Sequence, residues 1–210
     1  MPQLNPIQLD FGQAESELSD YKRFLQDHLT FSEKEVVAHL KKRCHLCCLI
    51  GSMIAGVPRA NVYKFEFQIQ GAFRADLVVG NSDRKRFVLV EFESGGKNSL
   101  FGPKQTNQMR DWSNEIGHGF GQLVDWGWAI DNEGNSQILK NNFGCDDISA
   151  EYLLVCGRDA LMDMTEQKRF FWRGDKVSVG GKNTTCLTYD GLLQFFESTI
   201  EAIKSYAAPP

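Results

Sequence analysis

The chain lacks the features that mark membrane-spanning and secreted proteins. Its 210 residues contain no long apolar run of the roughly 18 residues that a membrane span needs, and its first ten residues lack the basic and then apolar pattern of a signal peptide. We therefore expect a cytoplasmic protein without a membrane contact. The net charge of −4 excludes a basic field over the whole surface, so any contact with DNA has to use local patches.

Proline and cysteine are also scarce, with six residues of each. Two of the prolines fall within residues 1–14, which we expect to form an irregular arm. Cys44 and Cys47 form a C-x-x-C pair, but no second pair follows at the spacing of a zinc site. Their apolar neighbours favour reduced thiols in the core of a helix.

Hydrophobic periodicity predicts an α/β order of elements. A helix is expected to begin near Glu15, and a second helix begins at Ser32, where Glu35 completes a capping box, and ends between 51 and 56. The further predictions are strands over 61–70, 73–79, 87–93 and 152–156, helices over 109–131 and 189–206, and loops over 94–108 and 131–147. In the first strand, Tyr63, Phe65, Phe67 and Ile69 are expected to share one face.

Two neighbouring predicted strands carry acids where a strand normally buries hydrocarbon. Asp76 lies within one apolar run, and Glu91 ends another. Glu93 is two residues further on and so points to the same face as Glu91. The short turn at 80–85 favours an antiparallel hairpin that places Asp76 beside Glu91. Carboxylates brought this close repel one another or bind a cation, and hard divalent metals prefer such oxygen ligands.

Four motifs carry a resemblance to a known family. They are Val-Leu-Val-Glu-Phe-Glu at 88–93, Ser-Leu-Phe at 99–101, Gly-Gln-Leu-Val-Asp-Trp at 121–126 and Thr-Tyr-Asp-Gly-Leu-Leu at 188–193. With the order of the predicted elements, they resemble the C-terminal nuclease domain of Shedu anti-phage defence proteins, which is of the PD-(D/E)xK superfamily. The resemblance implies a restriction-endonuclease-like αβββαβ core, with a mixed central sheet flanked by helices. An N-terminal arm and helix over 1–30 would precede a nuclease-like domain over 31–210.

The resemblance also implies a function, a Mg²⁺- or Mn²⁺-dependent DNA endonuclease that hydrolyses phosphodiester bonds and forms a homo-oligomer. Asp76 and Glu91 match the metal-binding acids. Gln122 matches a glutamine on the following helix that orients water or phosphate. Glu93 occupies the position where the superfamily usually has a lysine, and it is expected to act as a base or to bind a second metal.

Three alternatives remain open at the level of the sequence. Lys97 or Lys104 can replace the missing lysine if the loop that carries them folds back to the site. Without such a lysine, the chain can be a catalytically impaired, DNA-binding or regulatory module with the same fold. In a protein that only mediates interactions, Asp76 and Glu91 would be solvated or paired with Arg74 or Arg86. His118 lies one turn before Gln122 on the same helix face, so it can approach the site, although a surface or packing role is the commoner one for such a histidine.

Overall fold

The computed structural model describes residues 3–53, 59–104, 109–133 and 137–207. In these ranges the strands are β1 (Asn5–Pro6), β2 (Val62–Gln70), β3 (Phe73–Asn81), β4 (Arg86–Phe92), β5 (Ser149–Val155), β6 (Ser178–Val179), β7 (Lys182–Asn183) and β8 (Thr185–Leu187). The α-helices are α1 (Phe11–Asp27), α2 (Glu33–Leu40), α3 (Cys44–Cys48), α4 (Asn114–Glu133), α5 (Gln137–Phe143), α6 (Met164–Lys176) and α7 (Tyr189–Ala207). None of the helices in this part of the chain has the length and hydrophobicity needed to cross a membrane.

A mixed sheet in the order β1-β2-β3-β4-β5-β8 forms the centre of the fold. The first four strands pair antiparallel, whereas β5 is parallel to both β4 and β8. The connection from β4 to β5 runs through α4 and α5, as a parallel pair requires a crossover. The predicted α/β fold, with a mixed sheet flanked by helices, is confirmed.

Helices cover both faces of the sheet and form two hydrophobic cores. On one face, α4 and α5 contribute Leu123, Trp126 and Phe143 to the first core. On the other face, α1 and α7 meet in the second core, where the buried Tyr21 hydroxyl donates a hydrogen bond to the Tyr189 carbonyl at 3.1 Å. Successive side chains of β4 point alternately into the first and the second core. This alternation decides which face of the sheet the acids occupy.

Several local predictions are confirmed. Ser32 and Glu35 form the capping box at the start of α2, and β3 and β4 are joined by a four-residue turn after Asn81. The cysteines of α3 are free thiols, and Cys47 and Cys48 are buried. Helix α7 spans the predicted range with a difference of one residue at its end.

Other predicted boundaries are wrong. Helix α1 begins at Phe11 instead of near Glu15, because Asp10 caps it by accepting a hydrogen bond from the Gln13 amide at 3.0 Å. The predicted loop over 131–147 contains α5, and the helix predicted over 109–131 begins at Asn114. The helix predicted from Ser32 is broken into α2, α3 and a 3-10 segment, Leu49–Met53, and part of its predicted end lies outside the described residues, as do residues 105–108 of the predicted loop.

Strand β2 does not keep its apolar side chains on one face, which corrects a further prediction. Tyr63 and Phe65 pack against the second core, whereas Phe67 and Ile69 are buried in the first. The change of face occurs at Glu66, whose φ of +51° lies in the left-handed region. A local irregularity of this kind bends a strand and re-aims side chains, and Glu66 has no partner in the register, whose neighbouring pairs are Phe65 with Leu77 and Phe67 with Ala75.

Two glycines of α4 provide a matched test of how closely this helix packs on the sheet. A Cβ at Gly119 would lie 2.6 Å from Leu154, whereas a Cβ at Gly121 meets no described atom within 4 Å. We expect Gly119→Ala to lower the free energy of unfolding by about 1 to 3 kcal/mol because of overpacking. We expect Gly121→Ala to raise it by about 0.4 to 1 kcal/mol. Urea denaturation measures both, and equal effects of the two substitutions would contradict this packing.

Candidate metal centre

The site begins where β3 and β4 separate. The last pair of their hydrogen-bonded ladder is Leu77 and Val90. The next residues outward are Asp76 on β3 and Glu91 on β4. Beyond this pair, a side-chain hydrogen bond takes the place of the backbone hydrogen bonds between the strands. The Oδ2 atom of Asp76 accepts it from the Phe92 amide at 2.9 Å. The gap between the strands therefore opens beside the two acids that the sequence pattern selected.

Glu91 and Glu93 point from β4 toward α4, on the same face as the buried Phe87 and Leu89. Each of the two acids is only 5% exposed. The backbone at Glu93 is held on both sides, since its amide donates to the Val155 carbonyl at 2.9 Å and its carbonyl accepts a hydrogen bond from the Tyr189 hydroxyl. Glu93 is therefore buried and fixed in place, and it is not a solvated residue at the end of the strand.

Helix α4 completes the site from above the sheet. The Gln122 amide donates a hydrogen bond to Glu91 Oε1, and His118 Nδ1 lies 3.1 Å from Glu93 Oε1. The two helix residues are one turn apart, and Gln122 Nε2 is 3.3 Å from His118 Nδ1. Gly119 allows this approach, because a Cβ there would lie 3.2 Å from Glu93 Oε1. Each acid of β4 thus has its own partner on α4.

These side chains line one wall of a cleft of about 500 Å³. Asp76 and Glu91 both face it, and further acids at its rim are Glu33 and Asp125. None of the ion pairs among the described residues includes Asp76 or Glu91. The cleft thus collects carboxyl groups that are not held in ion pairs, although Arg74 also lines it.

Burial and mutual repulsion shift the proton affinities of these acids upward. Burial raises the pKa of Asp76 to about 6, although the hydrogen bond from Phe92 opposes the shift. Burial, followed by the nearby charges of Asp76 and Glu93, raises the pKa of Glu91 to about 10. Burial raises the pKa of Glu93 to about 7, against the effect of its hydrogen bond with His118. Without a cation, the cleft therefore holds protons at neutral pH.

The donor atoms fit a divalent metal. Glu91 Oε2 is buried, and no described residue gives it a hydrogen bond. Ligand atoms of Glu91, Glu93 and His118 all lie within 4.8 Å of one another. Two carboxylates and an imidazole suit a first-row divalent ion such as Mn²⁺, and the carboxylates suit Mg²⁺. An ion at this position would satisfy the unpaired oxygen of Glu91 and offset the repulsion that raises its pKa.

The sequence-based candidates are thus brought to one place. Asp76, Glu91 and Gln122 line the cleft, and Glu93 lies directly behind them against α4. The tight cluster of ligand atoms in the described residues does not include Asp76, so its role as a metal ligand stays a prediction. His118 was expected to be a surface or packing residue that can approach the site; its side chain is 68% exposed, and it contacts Glu93. Its position one turn before Gln122 was the signal for this contact.

Neither candidate for the missing lysine lies at the site. Lys97 and Lys104 line a separate pocket beside Arg110, and both are exposed. Among the residues that line the acidic cleft in the described part of the chain, Arg74 is the one permanently charged cation. Glu93, at the position where the resemblance implies a lysine, contacts His118 instead of a cation of lysine or arginine.

Comparison with known protein families places the chain in one of them. No curated protein shows significant similarity to the chain. A family model described as the C-terminal region of the Shedu protein SduA matches residues 14–193. The match includes the helices and the strands that carry the acids and Gln122. The chain therefore belongs to the Shedu SduA C-terminal family.

Proposed function

We propose that this Shedu-family protein is a metal-dependent DNA endonuclease of an anti-phage defence system. One observation carries the proposal: acids from β3 and β4 line one cleft, and the buried Oε2 of Glu91 has no hydrogen-bond partner among the described residues. The order of α2 and α3, three antiparallel strands, α4 and a parallel strand supports a restriction-endonuclease-like core. The proposal includes action in the cytoplasm and assembly into a homo-oligomer.

The side chains divide the work between them. Asp76 and Glu91 would hold Mg²⁺ or Mn²⁺ between β3 and β4. When bound, such an ion polarises a scissile phosphate and lowers the pKa of a water molecule. Gln122 fixes the orientation of Glu91 by donating to Oε1, which leaves the buried Oε2 without a hydrogen-bond partner among the described residues and free to bind an ion. The amide of Phe92 fixes Asp76 in the same way.

Glu93 and His118 are suited to handle the proton of the attacking water. The pKa of Glu93 is raised to about 7 by burial, so near neutral pH the group can both accept and release a proton. His118 Nδ1 is in contact with Glu93, and the ring extends to solvent, where a proton can leave. The pair would serve as the general base in place of the usual lysine.

Substitutions of this pair give a prediction. We expect Glu93→Gln to lower the cleavage rate by about 10²- to 10⁴-fold, the usual contribution of a general base. We expect His118→Ala to lower the cleavage rate by a smaller factor, because Glu93 keeps its position directly after β4. The rate of the wild-type protein should rise with pH as Glu93 loses its proton, at or below its metal-free pKa of about 7 because a bound cation favours the ionised carboxylate, and this rise should be absent in Glu93→Gln. Rates measured between pH 5.5 and 9 with Mn²⁺ decide this, and an unchanged profile in Glu93→Gln would contradict the role.

The proposed activity is tested with purified protein and linear, nicked and supercoiled DNA, with Mg²⁺ or Mn²⁺. Wild type should cut at least one of these forms, and Asp76→Ala and Glu91→Ala should not. If wild type cuts no better than both variants under every condition, the endonuclease proposal fails.

A second candidate function is supported by one observation. No lysine lines the acidic cleft in the described residues, and Glu93 brings a further acid to it. The chain would then be a DNA-binding or regulatory module with an impaired nuclease fold. Metal binding and DNA binding without cleavage under any condition above would favour this candidate.

A further inference from the structure

A second groove lies on α6, apart from the acidic cleft. Thr165, Lys168, Arg169, Trp172 and Arg173 recur at intervals of three and four residues, so they share one face of the helix. Together with Trp112, they line an open groove of about 610 Å³. This volume accommodates a small organic ligand or a nucleotide unit. No residue is shared between this groove and the acidic cleft.

The cations of the α6 groove are not neutralised by acids. Lys168 is exposed, and neither Lys168 nor Arg173 forms an ion pair with any residue that the structure describes. Glu166, the acid one turn before Arg169 and Phe170, is already paired with Arg110 at 2.6 Å. In a chain with a net charge of −4, this groove therefore offers positive charge to an anionic partner.

Aromatic rings hold these cations in place. The Arg173 guanidinium lies 4.5 Å from the ring centroid of Trp112 and 4.7 Å from that of Phe120. The Arg169 guanidinium lies 5.2 Å from the Trp112 centroid, and Arg169 also donates to the Arg110 carbonyl at 2.7 Å. Cation–π contacts fix the position of a guanidinium without removing its charge. The arginines are thus preorganised to meet phosphate groups.

Trp172 is the exposed ring of the groove. It is 65% exposed, and its ring stacks on no other ring among the described residues. Phe171, which is 58% exposed, lies outside the groove and contacts Phe170. A free aromatic face beside unpaired cations is the arrangement by which proteins bind single-stranded nucleic acid, because the unpaired bases stack and the phosphates are neutralised.

Helix α4 is in contact with both sites, because Phe120 lies under Arg173 of the groove and His118, two residues before it, lines the acidic cleft. Gly117 and Gly121 are on the same helix, and a Cβ at either would meet no described atom within 4 Å. No side chain of these two residues therefore blocks a strand that passes from the groove to the cleft.

We propose that the α6 groove, lined by Trp112, Lys168, Arg169, Trp172 and Arg173, binds a single-stranded segment of nucleic acid by base stacking on Trp172. The assignment rests on the proposed function in so far as this segment belongs to the strand that reaches the acidic cleft. Charge and free aromatic surface favour an unpaired strand over a duplex, whose bases are not available for stacking.

Binding without metal separates this proposal from catalysis. The full chain is titrated against a fluorescein-labelled single strand of 20 nucleotides, and against the matching duplex, in EDTA with fluorescence anisotropy. We expect wild type to prefer the single strand. Trp172→Ala should weaken its binding about 5- to 10-fold, the low end of base–aromatic stacking, and Trp172→Phe should restore most of it. Phe171→Ala, the matched exposed control, should bind as wild type does. Lys168→Ala should reduce the slope of the logarithm of the binding constant against the logarithm of the salt concentration by roughly 0.7 in magnitude.

The outcomes are decisive in both directions. If wild type does not bind the single strand, or if Trp172→Ala and Phe171→Ala bind it equally, the groove proposal is overturned, including the case in which the groove binds a protein instead. If wild type cuts DNA and Trp172→Ala binds the single strand as tightly as wild type, the groove proposal is refuted and the nuclease proposal stands. Binding that depends on Trp172, in a protein that never cuts, supports the groove and refutes the nuclease proposal.

Discussion

Glu91→Gln is expected to abolish metal-dependent DNA cleavage while it leaves the fold intact. The amide matches the protonated carboxyl in shape, and the pKa of Glu91 is raised to about 10, so at neutral pH without metal the wild-type side chain is itself protonated. The amide cannot become the anionic ligand that a hard cation requires. We expect the cleavage rate to fall at least about 10³-fold, which corresponds to roughly 4 kcal/mol of lost transition-state stabilisation.

The matched control for this prediction is Asp125→Asn. Asp125 lines the same cleft, but it is exposed, so the substitution removes an equal charge without removing a buried ligand. We expect its rate to stay close to that of wild type, and we expect neither variant to have a lower melting temperature than wild type in EDTA. If Glu91→Gln and Asp125→Asn lose activity to the same extent, the loss is caused by the change in the electrostatic potential of the cleft and not by the removal of a metal ligand.

The stability of the metal-free protein is expected to fall as pH rises. Asp76, Glu91 and Glu93 have folded-state pKa values of about 6, 10 and 7, each above the value of the unfolded chain. From pH 4.5 upward the folded state therefore holds protons that the unfolded state has released, and this contribution to stability is lost as pH approaches the folded values. The slope is about 1.4 kcal/mol per pH unit for each such proton.

A divalent metal should reverse this dependence. It binds the ionised acids, so its stabilising effect should be greater at pH 8 than at pH 6, and it reaches about 2.7 kcal/mol at a free concentration 100 times Kd. Thermal or urea denaturation from pH 5 to 9, in EDTA and in Mn²⁺, measures both effects. Glu91→Gln should show a shallower slope in EDTA and little response to Mn²⁺. A wild-type stability that rises with pH in EDTA would contradict the account of the acidic cleft.

Local chemistry made much of the fold predictable. The capping box of Ser32 and Glu35 and the polar turn after Asn81 depend on residues a few positions apart, and both are present. The position of Glu91 and Glu93 on one face of β4 follows from the period of a strand, because this strand runs without a bulge between two cores. Their convergence with Asp76 in one cleft follows from the short hairpin.

Tertiary context decides what the sequence did not reveal. The regular alternation of β2 concealed the change of face at Glu66, whose backbone lies in the left-handed region. Helix α5 is only seven residues long, and it is held by Asn142, which donates to the carbonyls of Gln68 and Ile69 at 3.1 and 3.0 Å. Its polar composition is that of a loop, so distant partners determine its structure.

The contact of His118 with Glu93 also depends on tertiary context. Periodicity placed His118 on the face of α4 that carries Gln122, but it did not place that face over β4. The distance between helix and sheet depends on Gly119, whose missing side chain leaves room for Leu154 and Glu93. Close packing of this kind is a property of both surfaces, and it is read only from the folded protein.

Anomalous diffraction from crystals of the full chain grown with Mn²⁺ tests the central claim most directly. The account predicts a peak in the cleft between β3 and β4, within about 2.0 to 2.6 Å of a Glu91 carboxylate oxygen, with Asp76 or Glu93 as a further ligand, and no such peak in Glu91→Gln. Crystals of wild type that show manganese only elsewhere, or a cleft that remains without a peak at saturating Mn²⁺, would contradict it.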